Sequence, residues 1–596
     1  MTGSIITARY EAALSHLAAG RLGEADRLFR AVLAEAPTHA PAAKGLGDLA
    51  FMSGQAEAAA ACYRAAISFD PAHSGARVSL GMVLRGQGFE AEAQEVFAQA
   101  AADDPTCAAA FYWLGFSRLE HGDIDGAVAS LDRAASLEPG LVGPLGASLY
   151  GYFERCEWGD WPNLVRFMET AAASAKRALF SPMNLMLVSD SAEAIAKESR
   201  KYAADHCRAR TPLCSGPHPR GRKIRLAYLT SDFRNHPVAH VIAGVLEHHD
   251  RNAFELTAMS FGAPDSSQVR RRIEASFDAV CEVEAMSDEA IAGLIRERQI
   301  DIAICLKGYT GECRTDILAR KPAPLQVGYL GYPGTYGAPY MDYLIADRHV
   351  IPADQTRFYD EKIVWMPDSY HPTDDKAEIS SATPGRAQQG LPDGAVVLMA
   401  YNRTQKITPR IFAAWMRILA RAPAAVLWLQ DAGPEARDNL RREAQGRGVD
   451  PARLIFARGE AALADHIARH RLADLFIDTL PYNAHATAIN ALWAGVPVVT
   501  CRGTTFPGRV GAGLLTAAGL PELICETVTD YEDLIAQLAN DRSRLAVLRA
   551  RTEAQAPKSA LFQTANYTRH LEAAFKTMYE RQQAGLSPDH ISIEAI

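Results

Sequence analysis

Three short stretches carry side chains able to handle an anionic group, and a fourth suits the wall of a cleft. In 478–494 (DTLPYNAHATAINALWA) a strand is expected to end at Asp478, a turn through Pro481 and Asn483 follows, and a helix is expected to begin near Ala484. Small residues (Ala484, Ala486, Thr487, Ala488) flank His485 there. The free N–H groups of a helix start, its positive dipole end and the lack of bulk let a phosphate approach the backbone. The Thr487 hydroxyl and the His485 imidazole add donors, although packing alone also selects small residues at such a turn. Residues 401–409 (YNRTQKITP) put Lys406 on a loop, where an ammonium either neutralises a diphosphate or departing nucleotide or faces solvent. Residues 231–240 (SDFRNHPVAH) offer His236 and His240. An imidazole can act as a base near neutral pH and can equally serve a structural hydrogen bond. The glycine-rich 330–337 (LGYPGTYG) fits a tight loop lining a cleft.

Strands must hold these loops in place. Apolar runs at 224–230, 254–261, 300–306, 326–330 and 343–346 alternate with helical stretches, and a second series runs through 395–401, 425–429, 454–456, 475–477 and 496–500. That alternation predicts two parallel sheets covered on both faces, two Rossmann-like lobes in tandem with ligands at the carboxyl ends of the strands. No G-x-G-x-x-G opens either lobe and no G-x-x-x-x-G-K-[ST] occurs, so dinucleotide oxidoreductase and P-loop readings lose their usual support.

Ahead of the lobes lies a repeat array with a period of 34 residues: Pro37, Pro71, Pro105 and Pro139; Ala25, Ala59, Ala93 and Ala127; Gly47, Gly81 and Gly115; Phe29, Tyr63, Phe97 and Leu131. This is the tetratricopeptide (TPR) pattern, with small residues where antiparallel helices touch and a proline ending the second helix. Such pairs stack into a superhelix whose groove holds a polypeptide partner, or the array serves as a spacer or dimerisation element. The expected layout is 1–140 TPR repeats, 141–220 a helical extension and linker, 221–385 an N-terminal lobe and 386–596 a C-terminal lobe. Residues 215–221 (SGPHPRG) have linker composition, and 156–161 (CEWGDW) reads as a capping loop.

Composition agrees. The 596 residues call for about three to five domains, and 48% hydrophobic with 22% charged residues leaves no disordered or collagen-like bias. A net charge of −8 supplies no basic field, which argues against nucleic-acid or anionic-membrane partners. Residues 1–17 lack the pattern of a secretory signal, and no run of about 18 apolar residues appears. The ten cysteines form no C-x-x-C pair and read as reduced thiols, so a cytoplasmic protein without a zinc site is expected.

Taken together, TPR repeats followed by SDFRNHPVAH, KGYT, KPAPLQVGYLGYPGTYG, MDYLIAD, KITP, LADLFIDTLPYNAH, ALWAGVPVVT and GRV resemble the O-GlcNAc transferase family over almost the whole chain. The resemblance implies a fold, an all-α TPR superhelix followed by an α/β GT-B fold, and an inverting nucleotide-sugar glycosyltransferase. It implies that His236 lies beside sugar and acceptor, where its family counterpart has been argued to be the base. Lys406 would stabilise the leaving diphosphate, and His466 would stack on the nucleobase with Arg469 one turn on. His485 and Thr487 would hold phosphate. Three positions depart from the family: Asn490 replaces an aspartate that binds the ribose hydroxyls, Arg403 replaces an amide side chain, and Ala486 replaces a phosphate-binding threonine. Cys305 stands where many relatives carry an acidic residue, so no base is assigned there.

The expected activity is therefore protein O-glycosylation of Ser or Thr, with no metal and no cofactor, on a protein acceptor recruited by the TPR groove; a homodimer stays open. The more positive pocket would suit a donor whose sugar carries a carboxylate, because a guanidinium pairs with it bidentately. Similar TPR members in flagellated bacteria modify flagellin with nonulosonic acids from CMP-sugars. UDP-GlcNAc with other acceptor proteins is the alternative, and a TPR scaffold whose transferase domain has lost turnover is the rival from another class.

Overall fold

A computed structural model describes residues 2–141, 143–382, 384–457, 459 and 462–596. Contacts divide the chain into two compact units, one up to Ala147 together with Pro162–Phe180, the other Ser148–Trp161 together with Ser181–Ile596. Among the described residues no helix is long and apolar enough to cross a membrane.

In the first unit the 34-residue period becomes eight helices: α1 (Thr2–Ala18), α2 (Leu22–Glu35), α3 (Ala40–Met52), α4 (Ala56–Phe69), α5 (Ser74–Gly86), α6 (Glu90–Asp103), α7 (Ala108–Glu120) and α8 (Ile124–Leu137). They pack in sequential pairs. The glycine register has a steric cause. A Cβ on Gly47 would lie 2.5 Å from the Tyr63 ring, on Gly81 2.4 Å from Phe97, and on Gly115 2.7 Å from Leu131. The large residue of each second helix thus rests directly on the glycine backbone of the first, and Pro37, Pro71, Pro105 and Pro139 each follow within two residues of a second helix's end.

The second unit holds two wholly parallel sheets. The first is built from β1 (Ile224–Thr230), β2 (Phe254–Ser260), β3 (Ala279–Glu282), β4 (Ile302–Cys305), β5 (Leu325–Gly328), β6 (Tyr343–Asp347) and β7 (Lys362–Met366). The second comprises β8 (Val396–Ala400), β9 (Ala425–Gln430), β10 (Leu454–Ala457), β11 (Leu475–Ile477), β12 (Val498–Cys501) and β13 (Ile524–Cys525), and β14 (Ile591–Ser592) returns to the first. Their orders are β14-β7-β6-β5-β4-β1-β2-β3 and β10-β9-β8-β11-β12-β13. β4, β5, β6, β8, β11 and β12 are buried along their whole length, as strands covered on both faces must be. This is the expected pair of Rossmann-like lobes.

Two borders differ from the sequence expectation. The chain does not stay in a C-terminal lobe through 386–596: the helix Thr564–Gln583 lays Leu571, Phe575 and Met578 into the core of the first lobe, beside Leu226, Ile242 and Ile304. β14 then pairs with β7 at that sheet's edge. The apolar face of a late helix carries no label of the sheet it covers, which is why composition placed it with its sequence neighbours. The first lobe also reaches back ahead of the expected linker 215–221: the N–H groups of Arg210, Leu213 and Cys214 donate to the carbonyls of Ala319, Arg320 and Lys321 at 2.8, 2.8 and 3.0 Å.

Phe575 is fully buried, so Phe575→Ala should cost about 3–5 kcal/mol. Urea denaturation followed by a probe in the first lobe measures it, and a loss below about 1 kcal/mol would mean that the returning helix is not integral to that lobe.

Candidate functional site

The loop after β11 is fixed by a carboxylate. Asp478 Oδ1 accepts the N–H groups of Thr479 (2.7 Å) and Ala484 (2.6 Å), and Oδ2 accepts the Thr500 hydroxyl (2.7 Å). Asn483 is held in turn: its N–H donates to Pro507 O (2.9 Å), its Nδ2 to Thr479 O (2.8 Å), and its Oδ1 accepts from Gly511 N–H (3.2 Å). The helix begins two residues later than expected, as Ala486–Trp493 with His485 at its N-cap and no side-chain cap. The Ala486 and Thr487 N–H groups have no protein acceptor among the described residues, and the helix's positive end is open to an anion.

Lys406 reaches this loop. Its ammonium donates to Asn483 O (2.8 Å) and lies 4.2 Å from the centroid of the Tyr482 ring. No carboxylate pairs with it directly among the described residues. Burial pulls its pKa from the ordinary 10.5 to about 7, with Asp478 opposing and Arg403 adding to the fall. Burial likewise pushes Asp478 up to about 6, against its three donors and Lys406. His485 stacks on Tyr482 at 4.9 Å. Its pKa falls well below the usual value through burial, then the Lys406 and His371 charges. Its Nε2 is buried without a partner. The Thr487 hydroxyl, expected to face phosphate, donates to Asn402 Oδ1 at 3.0 Å, which leaves the Thr487 N–H as that residue's free donor.

A second cluster adjoins on the helix Leu463–His470. His466 lies roughly parallel to Tyr401 at 6.1 Å, and the buried Arg469 sits 4.9 Å over the same ring with Nη2 2.9 Å from His466 Nδ1. Burial, then the Arg469 charge, hold His466 at about 4, so it is a neutral aromatic face. Asn490 is half-buried on the helix Ala486–Trp493, and its side chain makes no hydrogen bond with the described residues.

From the first lobe, the loop after β1 brings His236 to the N-cap of the helix Pro237–His248, where Nδ1 accepts the Val238 N–H at 3.2 Å. His240 is spent locally on Asn235 Oδ1 at 2.8 Å. Burial lowers His236 below its ordinary value, Asp232 opposes this, and Lys307, Arg403 and Arg234 add to it. The charge of Arg403 thus acts on His236 in one lobe and Lys406 in the other. Its guanidinium is exposed and makes no hydrogen bond or ion pair with the described residues. The glycine-rich loop backs this side. A Cβ on Gly331 would meet Leu306 O at 2.0 Å, and Glu361, pushed to about 7 by burial, accepts from Thr335 Oγ1 (2.8 Å) and Tyr336 N–H (2.7 Å).

The arrangement brings Lys406, His485 and Thr487 together, sets His466 and Arg469 against Tyr401, and couples His236 to Arg403. Sequence reasoning missed Asn402, Tyr482 and the Lys307–Asp232 ion pair (2.7 Å), and took Asp478 only for a strand end. An acidic residue within two positions of the end of an apolar strand was the available signal for Asp478 and Asp232.

A model of glycosyl transferase family 41 matches residues 211–383 and 371–571, and tetratricopeptide repeat models match 16–80 and 78–141. The chain is 34% identical over 413 residues to an Arabidopsis thaliana protein called probable UDP-N-acetylglucosamine–peptide N-acetylglucosaminyltransferase SEC, covering 66% of this chain and 42% of that one. It is 26% identical over 563 residues to the Caenorhabditis elegans UDP-N-acetylglucosamine–peptide N-acetylglucosaminyltransferase, covering 73% and 49%. The chain therefore spans less than half the length of these relatives. Among solved structures, a mutant of Thermobaculum terrenum O-GlcNAc transferase matches with a TM-score of 0.62 at 28% identity, over 92% of this chain and 99% of that one.

The depressed Lys406 pKa carries a stability signature. The unfolded chain binds the proton more tightly, so the cost of burying the ammonium is full below pH about 7 and fades as pH rises toward 10.5. Lys406→Met should therefore melt higher than the parent near pH 6, by roughly 2–4 °C per kcal/mol relieved, with the gap closing as the medium turns alkaline. Thermal melts across that range check it; a gap independent of pH would refute the burial argument.

Proposed function

The chain belongs to glycosyl transferase family 41, and on that premise we propose that it transfers a sugar from a nucleotide-sugar donor to a serine or threonine hydroxyl of a protein. The observation that carries this reading is the convergence of Lys406 with the free N–H groups of Ala486 and Thr487 on one rigid loop. These are positive groups fixed before the reaction, aimed where a phosphate gains charge as it leaves. The hydroxyl oxygen attacks the anomeric carbon from the face opposite the phosphate. The bond from that carbon to the phosphate oxygen breaks, the nucleotide departs with the electron pair, and the configuration inverts. A hydroxyl is a weak nucleophile, so positioning and leaving-group stabilisation supply most of the acceleration. Lys406 and the helix start serve the phosphate, Tyr401, His466 and Arg469 the base, Asn490 the ribose, and His236 stands beside sugar and acceptor. Because the loop supplies its own positive charge, the proposal includes no metal ion and no cofactor.

The TPR unit is assigned to acceptor recruitment, as stacked repeats offer a long groove to an extended polypeptide. For the donor, the relatives' names support UDP-GlcNAc. One observation favours a second reading, a CMP-linked acidic sugar with flagellin as acceptor: Arg403 is a cation without a partner among the described residues, close enough to depress both His236 and Lys406. A carboxylate on the sugar would supply the missing counter-charge.

Lys406→Ala should lower transfer by about 10² to 10³ while the protein stays folded. Near-normal turnover in a transfer assay with labelled donor would sink the assigned mechanism.

Isothermal titration separates the donors. For a CMP-linked acidic sugar, Arg403→Asn should weaken binding by roughly 1.5–3 kcal/mol and leave free CMP binding little changed. Tight UDP-GlcNAc binding without CMP-sugar binding would end the acidic-sugar reading.

A further inference from the structure

One ion pair in the first lobe is not used by the reading above. β1 and β4 are neighbours in the sheet, with Leu229 opposite Cys305. Asp232 and Lys307 each lie two residues beyond their strand's last residue, so sheet register sets them side by side. Both are buried, and Lys307 Nζ donates to Asp232 Oδ1 at 2.7 Å. The Ser231 hydroxyl donates to the same oxygen at 3.3 Å, and the Asp232 N–H donates to Thr230 Oγ1 at 3.0 Å. The other carboxylate oxygen, Oδ2, stops 3.7 Å short of His236 Nδ1, beyond hydrogen-bond length.

His236 Nδ1 is engaged elsewhere, since it accepts the Val238 N–H at the start of its helix. A ring nitrogen that accepts cannot also carry a proton, so the neutral imidazole holds its proton on Nε2. The alternative would place the proton on Nδ1, bonded to Asp232, and would strip Val238 of its acceptor. A bare carboxylate at this distance would outweigh one backbone cap. The arrangement observed is accounted for by a carboxylate whose charge is drawn to its other oxygen, Oδ1, which Lys307 holds.

We propose that Lys307 is a positioning residue: by drawing Asp232 away, it keeps His236 in the form that presents Nε2–H to the cleft, a hydrogen-bond donor to the sugar or acceptor oxygen and not the acceptor of the hydroxyl's proton. The catalytic meaning rests on the transferase reading; the state of the ring does not. The charged groups facing His236 are Asp232 and Lys307 from the strand ends, Arg234 from its own loop, paired to Glu312 at 2.7 Å, and Arg403 from the other lobe. Of these, Asp232 alone pulls toward protonation.

Hydrogen–deuterium exchange at histidine C2, read by mass spectrometry on the full chain, gives the titration midpoint of His236 without any assay of activity. The parent midpoint should lie below 6.5. Lys307→Met should raise it by about one pH unit or more and Lys307→Arg should restore it. Adding Asp232→Asn to Lys307→Met should abolish the rise. A folded Lys307→Met protein with an unmoved midpoint overturns the proposal. If that variant fails to fold, Asp232→Asn alone decides: a fall smaller than about half a unit supports the proposal, and a larger one overturns it, because Lys307 would then leave the carboxylate's pull on the ring largely intact. In transfer assays the acidic limb of the pH profile should move with the exchange midpoint. Absence of transfer from every version, the parent included, would sink the transferase reading and leave the midpoints to judge Lys307.

Discussion

Burying a carboxylate is costly unless its lone pairs are filled, and at Asp478 the filling builds the site. Its two oxygens take two N–H groups from the loop that follows and one hydroxyl from β12, so the price of burial becomes a clamp on the Thr479 and Ala484 backbone. With those residues fixed, Asn483 is bound on three sides and its carbonyl oxygen turns toward Lys406. The loop after β8 is thereby tied to the loop after β11. The Tyr531 hydroxyl, bonded to Asp478 O at 2.8 Å, links a peripheral helix to the same point.

The clamp also explains the electrostatics of the cleft. His371, His466 and His485 are all driven toward the neutral form chiefly by burial, and they surround the loop with polar but uncharged surface. Against that background two cations stand out, Lys406 with a proton affinity lowered by burial and Arg403 exposed without a partner among the described residues. Low dielectric magnifies the first. On the proposed reading, a phosphate would meet groups that are already oriented, and its charge would favour the protonated form of Lys406 that burial disfavours.

Much of this was legible in the sequence, for physical reasons that can be named. β1 and β11 could be read to the residue: β11 is an uninterrupted apolar run between two aspartates, as a strand buried on both faces should be, and β1 is a mainly apolar run closed by the polar Ser231-Asp232. The TPR array was legible because steric contacts such as Phe97 on Gly81 repeat with the period and so mark the sequence. β3, β7, β13 and β14 escaped notice. β3 and β14 are sheet-edge strands of four and two residues, AVCE and IS, and β7 lies beside β14 with a lysine at its start. The Lys307–Asp232 pair could not be foreseen from spacing, since 75 residues separate partners that only strand adjacency joins. Thr487 shows the opposite limit: the right residue was singled out, but its hydroxyl was already spent on Asn402.

The return of the chain to the first sheet has a consequence for how the molecule is made. A ribosome delivers the repeat array before the lobes, and its local contacts let it close while synthesis proceeds. The first lobe has no such freedom. Its strands β1 to β7 emerge early, yet the helix that covers them and the edge strand that flanks β7 are translated only after the second lobe. Through the time needed to make the entire second lobe, the nascent first sheet keeps an apolar face bare and an edge unpaired, the two features that invite wrong partners. Vectorial synthesis thus couples the lobes kinetically: the second must be finished before the first can be sealed, and a holdase that shelters β-rich nascent chains would act during that interval.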